Sequence, residues 1–431
     1  MAGRSVGLDG VHVAFDDERA VSDAGIVLVA TLAARLGVEA LAQRFIGLGD
    51  RAGAANAGRK VMTLIYAMAL GADCIDDCDV LRSGRLRALL GRVAAPSTLG
   101  TFLRAFTFGH VRQLDRLLAE TLRRAWQAGA GPVDGRLVVD VDSFIGEVHG
   151  YRKQGAGFGY TRQRGYHPLL ATRADTGEVL HIRLRKGSAG SSRGVLRFAD
   201  ELIARITRAG ATGPKLLRAD SAFWNKKLIA RLERAGWRYS ISVRMQFWVP
   251  QAIAAIPEAA WRTLPDYPEG GEAQIAETTG GGRRLLVRRT RLIGPQAELW
   301  PDWRYFPFIT NRTEPLEIVE AEHRQHAVVE LAIRDLKDQA LAHFPSGRFT
   351  ANAAWTVIAC LTHSLLRWTT AIGLPADTVR AARTVRRRLL AMPGRLTHSA
   401  RQWTLHLPAR WPWQHDLIRA LARIRALPAT A

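Results

Sequence analysis

Between Arg136 and Arg244 the hydrophobic pattern changes period in a fixed order, and that order leaves few ways to fold. Leu137, Val138 and Val139 open an extended run that ends in Asp140-Val141-Asp142. A glycine-rich basic loop, Gly150 to Gly165, follows. A hairpin comes next: His167 to Ala174, the turn Asp175-Thr176-Gly177, then Glu178 to Arg185. Leu196, Ala199, Leu202, Ile203 and Ile206 then share one helix face. Gly213-Pro214 starts a strand to Asp220, a helix runs from about Asn225 to Ala235, and Trp237 to Arg244 is extended. Three meander strands followed by two helical crossovers predict an α/β fold, a mixed sheet flanked by helices.

The rest of the 431 residues is arranged around this block. Residues 1–26 read as a loose arm within a helical N-terminal domain, 1–130, expected to bind DNA. Leu32, Leu36, Leu41 and Phe45 recur at helical spacing there, as do Leu99, Phe102, Leu103 and Phe106 after a start at Pro96-Ser97-Thr98. Residues 131–244 are the first part of the core, and 245–310 read as an all-β insertion with Leu285–Val287 its clearest strand. A helix over 314–339 falls in the segment 311–345 and completes the core. Residues 346–431 read as a mainly helical, basic region with an extended stretch at Trp403–Leu407.

Lys and Arg number 61 against 39 Asp and Glu, a formal net charge of +22 with a pI near 11.0. Nucleic acid is the natural partner for such a surface, although a GC-rich genome also favours arginine. Cys74, Cys78 and Cys360 make no disulfide scaffold, and no second Cys/His pair accompanies the first two to bind zinc. The N-terminus has no signal core, and the longest apolar stretch, Val61 to Ala72, is too short for a bilayer. The expectation is a soluble cytoplasmic protein, associated with the nucleoid and not with membrane.

Carboxylates mark the candidate chemistry. Strand alternation puts Asp140 and Asp142 on one face, and Asp220 ends a strand that a crossover can lay alongside. At about 100° per residue, His323, His326, Glu330, Arg334 and Lys337 fall in one helix sector. Singly, an Asp ending a strand is usually a cap, and a charged helix face is usually solvated. Their order on this topology is what raises them. Phosphodiester cleavage gains from two divalent ions about 3.5–4 Å apart, and hard carboxylate oxygens hold Mg²⁺.

Asp140-Val141-Asp142-Ser143, Val148-His149-Gly150, Gly159-Tyr160, Gly165-Tyr166-His167-Pro168-Leu169-Leu170, Arg185-Lys186-Gly187 and Arg218-Ala219-Asp220-Ser221 together resemble the IS1380 family of DDE transposases. The related IS4 group carries Tyr-x2-Arg-x3-Glu-x6-Lys on its glutamate helix; here the same spacing is His323, His326, Glu330 and Lys337. The resemblance, over about residues 96 to 413, implies a ribonuclease-H-like fold and a bacterial insertion-sequence transposase acting by cut-and-paste. It implies Asp142, Asp220 and Glu330 as catalytic and metal-binding acids, with Asp140 the alternative for Asp142. It further implies two Mg²⁺ ions, for which Mn²⁺ can substitute, and a homodimer on terminal inverted repeats and target duplex. The sequence departs from the pattern at Phe144, Ala222, His323 and His326. The alternative reading is a catalytically inactive relative that only binds DNA.

Other residues carry two readings each. Arg152, Lys153, Arg162 and Arg164 in the glycine-rich loop contact DNA backbone or are solvated. Arg185-Lys186-Gly187-Ser188 is a candidate anion nest, and Arg334 and Lys337 with His323 and His326 are candidate DNA contacts. Trp248 and Trp300, among Trp261 and Trp303, are candidates for stacking on an unstacked base or are core. Thr98–Phe106 with Arg104 is a candidate groove-reading helix, and Arg380, Arg383, Arg386, Arg387 and Arg388 fit phosphates or a solvated face.

Overall fold

The computed structural model describes residue 9 and residues 11–132, 135–159, 162–265, 271–293, 302–375 and 381–429. A nine-stranded mixed sheet runs through the middle. In chain order its strands are β1 (Leu137–Ser143), β2 (Leu169–Arg173), β3 (Val179–Arg183), β4 (Lys215–Ala219) and β5 (Arg238–Ser242). β6 (Arg262–Thr263), β7 (Gly271–Gly280), β8 (Arg283–Leu292) and β9 (Arg304–Thr310) complete it. The spatial order is β6-β7-β8-β9-β5-β4-β1-β2-β3. β1 pairs antiparallel with β2 and parallel with β4, which is parallel to β5. Leu137, Val139 and Val141 are buried, so this strand is covered and central.

Five N-terminal helices of at least eight residues lie together: α1 (Val27–Arg35), α2 (Val38–Phe45), α3 (Ala57–Leu70), α5 (Pro96–Arg104) and α6 (Phe108–Ala125), with the short α4 (Leu86–Leu90) between. The crossover helices are α7 (Val195–Ala209) and α8 (Lys226–Arg234). The hairpin β2–β3 and both crossovers match the pattern read from the sequence. Residues 245–310 are not all β: α9 (Trp248–Ala254) lies among them, with Pro250 tolerated in its first turn. Their strands continue the main sheet, because β9 pairs with β5.

The glycine-rich loop is also more ordered than its composition suggests. Gly146–Glu147, Arg164–Tyr166 and Gly157–Phe158 form a small three-stranded sheet. A Cβ on Gly187 would lie 2.0 Å from the Gly165 carbonyl oxygen and 2.4 Å from that of Gly157. Close backbone approach, not flexibility, explains glycine there.

After the sheet come α10 (Leu316–Arg324), α11 (Val328–Lys337), α12 (Phe349–Gly373), α13 (Ala382–Val385) and α14 (Gln414–Ala426). One described helix, α12, is long and apolar enough to cross a bilayer, with mean hydropathy 1.2. It supersedes Val61–Ala72 as the longest apolar stretch. Of its most apolar stretch 89% is buried, and the helix packs against α3, α6, α14 and β3. The chain's two ends meet as well: Ala20–Val21 pairs with Gly394–Ser399, which pairs with Gln402–His406.

Glu178, fully buried, ties these layers. Its carboxylate accepts Nε1–H of Trp126 at 2.7 Å and of Trp368 at 2.5 Å, with Arg173 at 3.8 Å. The hairpin turn, the end of α6 and the core helix α12 therefore share one acceptor. Glu178→Ala should cost about 3 kcal/mol, since it leaves two buried indole donors without a partner and removes one of the acids near Arg173, which keeps Asp175 and the Ala130 carbonyl. Urea unfolding measures this; a loss below about 1 kcal/mol would remove the tie from the account of the fold.

Candidate active site

β1 and β4 are parallel and in register, with Val141 opposite Ala219. Each strand's next residue is an aspartate, so Asp142 and Asp220 lie side by side at the carboxyl edge. Asp220 ends its strand as the cap of a 3₁₀ turn and accepts Ala222 N–H at 3.0 Å. Among the described residues Asp142 accepts only the N–H of Ser143, at 2.6 Å.

The third acid arrives on α11, which packs against β1. The stretch expected to be one helix is three pieces: α10, a 3₁₀ turn at Gln325–Ala327, and α11. This break changes the helical phase, so the five residues do not form a single stripe. His323 is turned away from the sheet edge. Its ring nitrogens meet the hydroxyls of Ser240 and Ser242 at 2.8 and 3.1 Å, and its face stacks on Phe308 at 4.1 Å. Burial pushes this imidazole down to about 3, so it is a neutral packing residue and not a DNA contact. His326 stays at the site, with Nε2 3.3 Å from the Val141 carbonyl. Glu330, one turn further, is exposed and makes no hydrogen bond or ion pair among the described residues.

Burial pushes the Asp142 carboxyl up to about 6, and Asp220 and Glu330 push in the same direction as like charges. Asp220 is also raised by burial, against the opposing pull of His326 and Arg244. Among the described residues the three carboxylates do not all come within 4.8 Å of one another. Two ions about 4 Å apart, each about 2 Å from its oxygens, span ligands up to roughly 8 Å apart. Two aspartates raised chiefly by burial, with an exposed glutamate that makes no ion pair among the described residues, suit divalent metal.

Asp140 has the opposite character. It is fully buried and meets Arg218 in a two-pronged pair, Nε to Oδ1 at 2.7 Å and Nη2 to Oδ2 at 2.8 Å. It has no free oxygen for a metal, which removes it as the alternative to Asp142.

Other sequence candidates separate likewise. Arg185 is buried and donates to the carbonyls of His167, Gly190, Ser191 and Arg193. Burial lowers it to about 10, and it builds the loop instead of offering an anion nest. Lys153 is consumed by the Phe344 carbonyl, and Arg164 by those of Gly150 and Tyr151. Arg152, Arg162, Lys186 and Arg334 are exposed. Lys337 lies 5.5 Å from the centroid of Phe144, so the atypical Phe144 seats this cation. Arg104 is exposed on α5; Arg386 is half-buried and donates to the Ala69 carbonyl. Trp261 and Trp303 take the Arg289 guanidinium and are packed. Trp300 and Arg380 lie outside the described residues.

Trp248 and Trp224 line a cavity of about 250 Å³ whose wall includes Ser221 and Ala222, directly after Asp220. Phe247, in the same wall, is 87% exposed with φ +54°, a strained conformation for a bulky residue. Sequence reasoning passed over Arg244 and Phe247. The strand-end argument that found Asp220 also applies to Arg244, which follows β5; the backbone angle of Phe247 leaves no trace in composition.

Three acids without an ion pair among the described residues, at the carboxyl edge of a mixed sheet and one of them delivered by a helix, make a candidate cation-binding carboxylate site. The family described as "Transposase DDE domain group 1" matches residues 4–429, and the chain belongs to that family. None of the curated proteins matches. Among solved structures, a cryo-EM piggyBac transposase synaptic complex with hairpin DNA aligns at 12% identity and a TM-score of 0.47, over 87% of this chain and 80% of that one.

The two neighbouring aspartates should respond oppositely to neutralisation. Asp142 in the folded, metal-free protein lies near 6, above an unfolded carboxylate near 3.9. Its favourable contribution is complete below about pH 4 and is lost as pH rises through about 6. Asp142→Asn should therefore raise metal-free stability at pH 8 by about 1–2 kcal/mol and leave pH 4 unchanged. Asp140→Asn breaks the Arg218 pair and should cost about 3 kcal/mol at pH 8. Thermal melts in EDTA read both; a destabilised Asp142→Asn at pH 8 contradicts the assignment.

Proposed function

We propose that this chain is the transposase of a bacterial insertion sequence of the IS1380 kind, acting by cut-and-paste with Asp142, Asp220 and Glu330 as its catalytic acids. The observation that carries this reading is the register of β1 and β4, which makes Asp142 and Asp220 neighbours while α11 brings an unpaired Glu330. The order β3-β2-β1-β4-β5, three antiparallel strands and then two parallel ones, supports a ribonuclease-H-like core.

The acids would hold two Mg²⁺ ions, or Mn²⁺ in their place. Divalent metal bound there supplies Lewis-acid polarisation of the phosphodiester and neutralises developing charge. The chain's own residues do the rest. Asp142 and Asp220 face the same edge and share ligation, and Glu330 completes the set. His326 offsets the negative field of the aspartates, and Lys337 and Arg334 on the same helix as Glu330 meet backbone phosphates. Arg152, Arg162 and Lys186 are exposed cations for the same duplex. Trp248, with Phe247, would stack on a base unpaired beside Asp220. Water is the nucleophile for the first cut, and the freed 3′-hydroxyl attacks target DNA in line, with no covalent enzyme intermediate. The two terminal repeats must be paired, which calls for a homodimer, in the bacterial cytoplasm.

The test is end cleavage on a duplex carrying the element's own terminal repeats. Asp220→Asn should lower cutting at least ~10³-fold while duplex affinity stays within a few-fold. EDTA should abolish wild-type cutting and Mg²⁺ should restore it. Joining of cut ends to a target plasmid separates a transposase from a nuclease. Retained cutting by the variant means the site is wrong.

A further inference from the structure

A second feature, away from the carboxylates, has its own chemistry. α2, α6 and α7 border a cleft of about 740 Å³. Seven arginines line it against four carboxylates, a surplus of three positive charges. The acids are largely spent. Glu201 accepts from Arg112 at 2.6 Å, Arg197 at 3.0 Å and His181 at 3.0 Å, and Arg183 also reaches it. These contacts outweigh burial and hold the Glu201 carboxyl down to about 2. Glu120 serves Arg123 and Arg124, and Asp200 serves Arg231.

Four of the arginines form no ion pair among the described residues; of these, Arg205 is buried and donates to the carbonyls of Leu180 and Asp115, which leaves three on the surface. Arg44, Arg116 and Arg208 are exposed and form no ion pair among the described residues. Two of them are positioned all the same: Arg44 and Arg116 lie 4.8 and 4.3 Å from the centroid of Phe45. A cation over an aromatic face is held without using its N–H donors. Such a pair is preorganised for an anion, and its mutual repulsion is relieved only by one.

The cleft also has a direction. α7 contributes Arg197 near its start and Arg208 near its end, about 16 Å apart at 1.5 Å per residue. Ser192, three residues before α7, lines the cavity next to Asp220. The basic cleft thus begins beside the candidate active site and leads away along one helix. Phosphates of a duplex strand, spaced by roughly 7 Å, fit this span at two or three positions.

We propose that the α2–α6–α7 cleft holds the phosphodiester backbone of the duplex as it leaves the active-site edge, with Arg44, Arg116 and Arg208 as its phosphate contacts. This rests on the reading of the chain as a DNA-cutting enzyme. The cleft supplies affinity without sequence information, since none of these groups is placed to read base edges.

The experiment compares the full-length protein with the triple variant Arg44→Ala, Arg116→Ala, Arg208→Ala, using a long duplex and one truncated to the terminal few base pairs. All three side chains are exposed, and circular dichroism and melting check that the variant is folded. The long duplex should bind the variant roughly 100-fold more weakly at 0.15 M salt, with the log–log salt slope smaller by about 3. The truncated duplex should bind both proteins alike, and cutting at saturating duplex should be unchanged. The triple Arg→Lys variant should recover most of the slope, because phosphate contact needs charge. An unchanged affinity and slope in the triple variant, where the wild type cuts DNA, overturns the cleft alone. Loss of cutting by the folded variant at saturation also overturns it, by assigning the arginines to the chemistry. Tripolyphosphate bound in the cleft without displacing duplex makes it a small-anion site, which overturns it too. A wild type that neither binds nor cuts duplex overturns both readings.

Discussion

The whole site depends on one buried ion pair. Arg218 sits on β4, is almost wholly excluded from solvent, and grips Asp140 of β1 with two of its nitrogens. Its guanidinium also donates to the carbonyls of Glu322 and Gln325, at the end of α10 and in the 3₁₀ turn that leads to α11. One planar side chain therefore joins the two strands that carry the aspartates to the segment that carries the glutamate. A buried pair of this kind adds little net stability over apolar packing. What it contributes is register: the fork must be satisfied on all sides, and only one arrangement of the three elements does so.

Against that neutralised pair, the unneutralised acids stand out. Asp140 and Asp142 are two residues apart on one strand, yet one is gripped by an arginine fork and the other is raised by burial with two further acids acting on it. Folding has concentrated negative potential at a single place in a chain of net charge +22. Two cations stand near: Lys337 sits over the Phe144 ring, and Arg244, after β5, partly opposes the burial that raises Asp220. Membership of the DDE transposase family and this charge pattern point to the same chemistry.

Much of the positive charge has structural work, and this changes how the composition is read. Arg185, Arg205 and Arg367 are buried and bonded to carbonyls or acids. Arg164 and Lys153 close a loop onto its own backbone. The net charge alone overstates the surface available to a polyanion. The arginines that remain uncommitted are fewer and lie in particular places, which makes them individually testable.

The sequence by itself determined the element order, because strand and helix periods are written locally in which side chains must be buried. It also offered Asp140, Asp142, Asp220 and Glu330 as candidate acids, since strand ends and helix spacing need only neighbouring residues, and the family resemblance narrowed them to three. Only the tertiary structure separated Asp140 from Asp142, and His323 from His326. Those pairs have the same residue types at similar spacing. They differ in what comes from distant segments: Arg218 to Asp140, and Ser240, Ser242 and Phe308 to His323. The 3₁₀ break before α11 and the strained Phe247 were equally illegible, being set by the fit of packed elements and not by local preference. Local patterns fix which groups are present; burial and long-range partners decide which of them remain free to act.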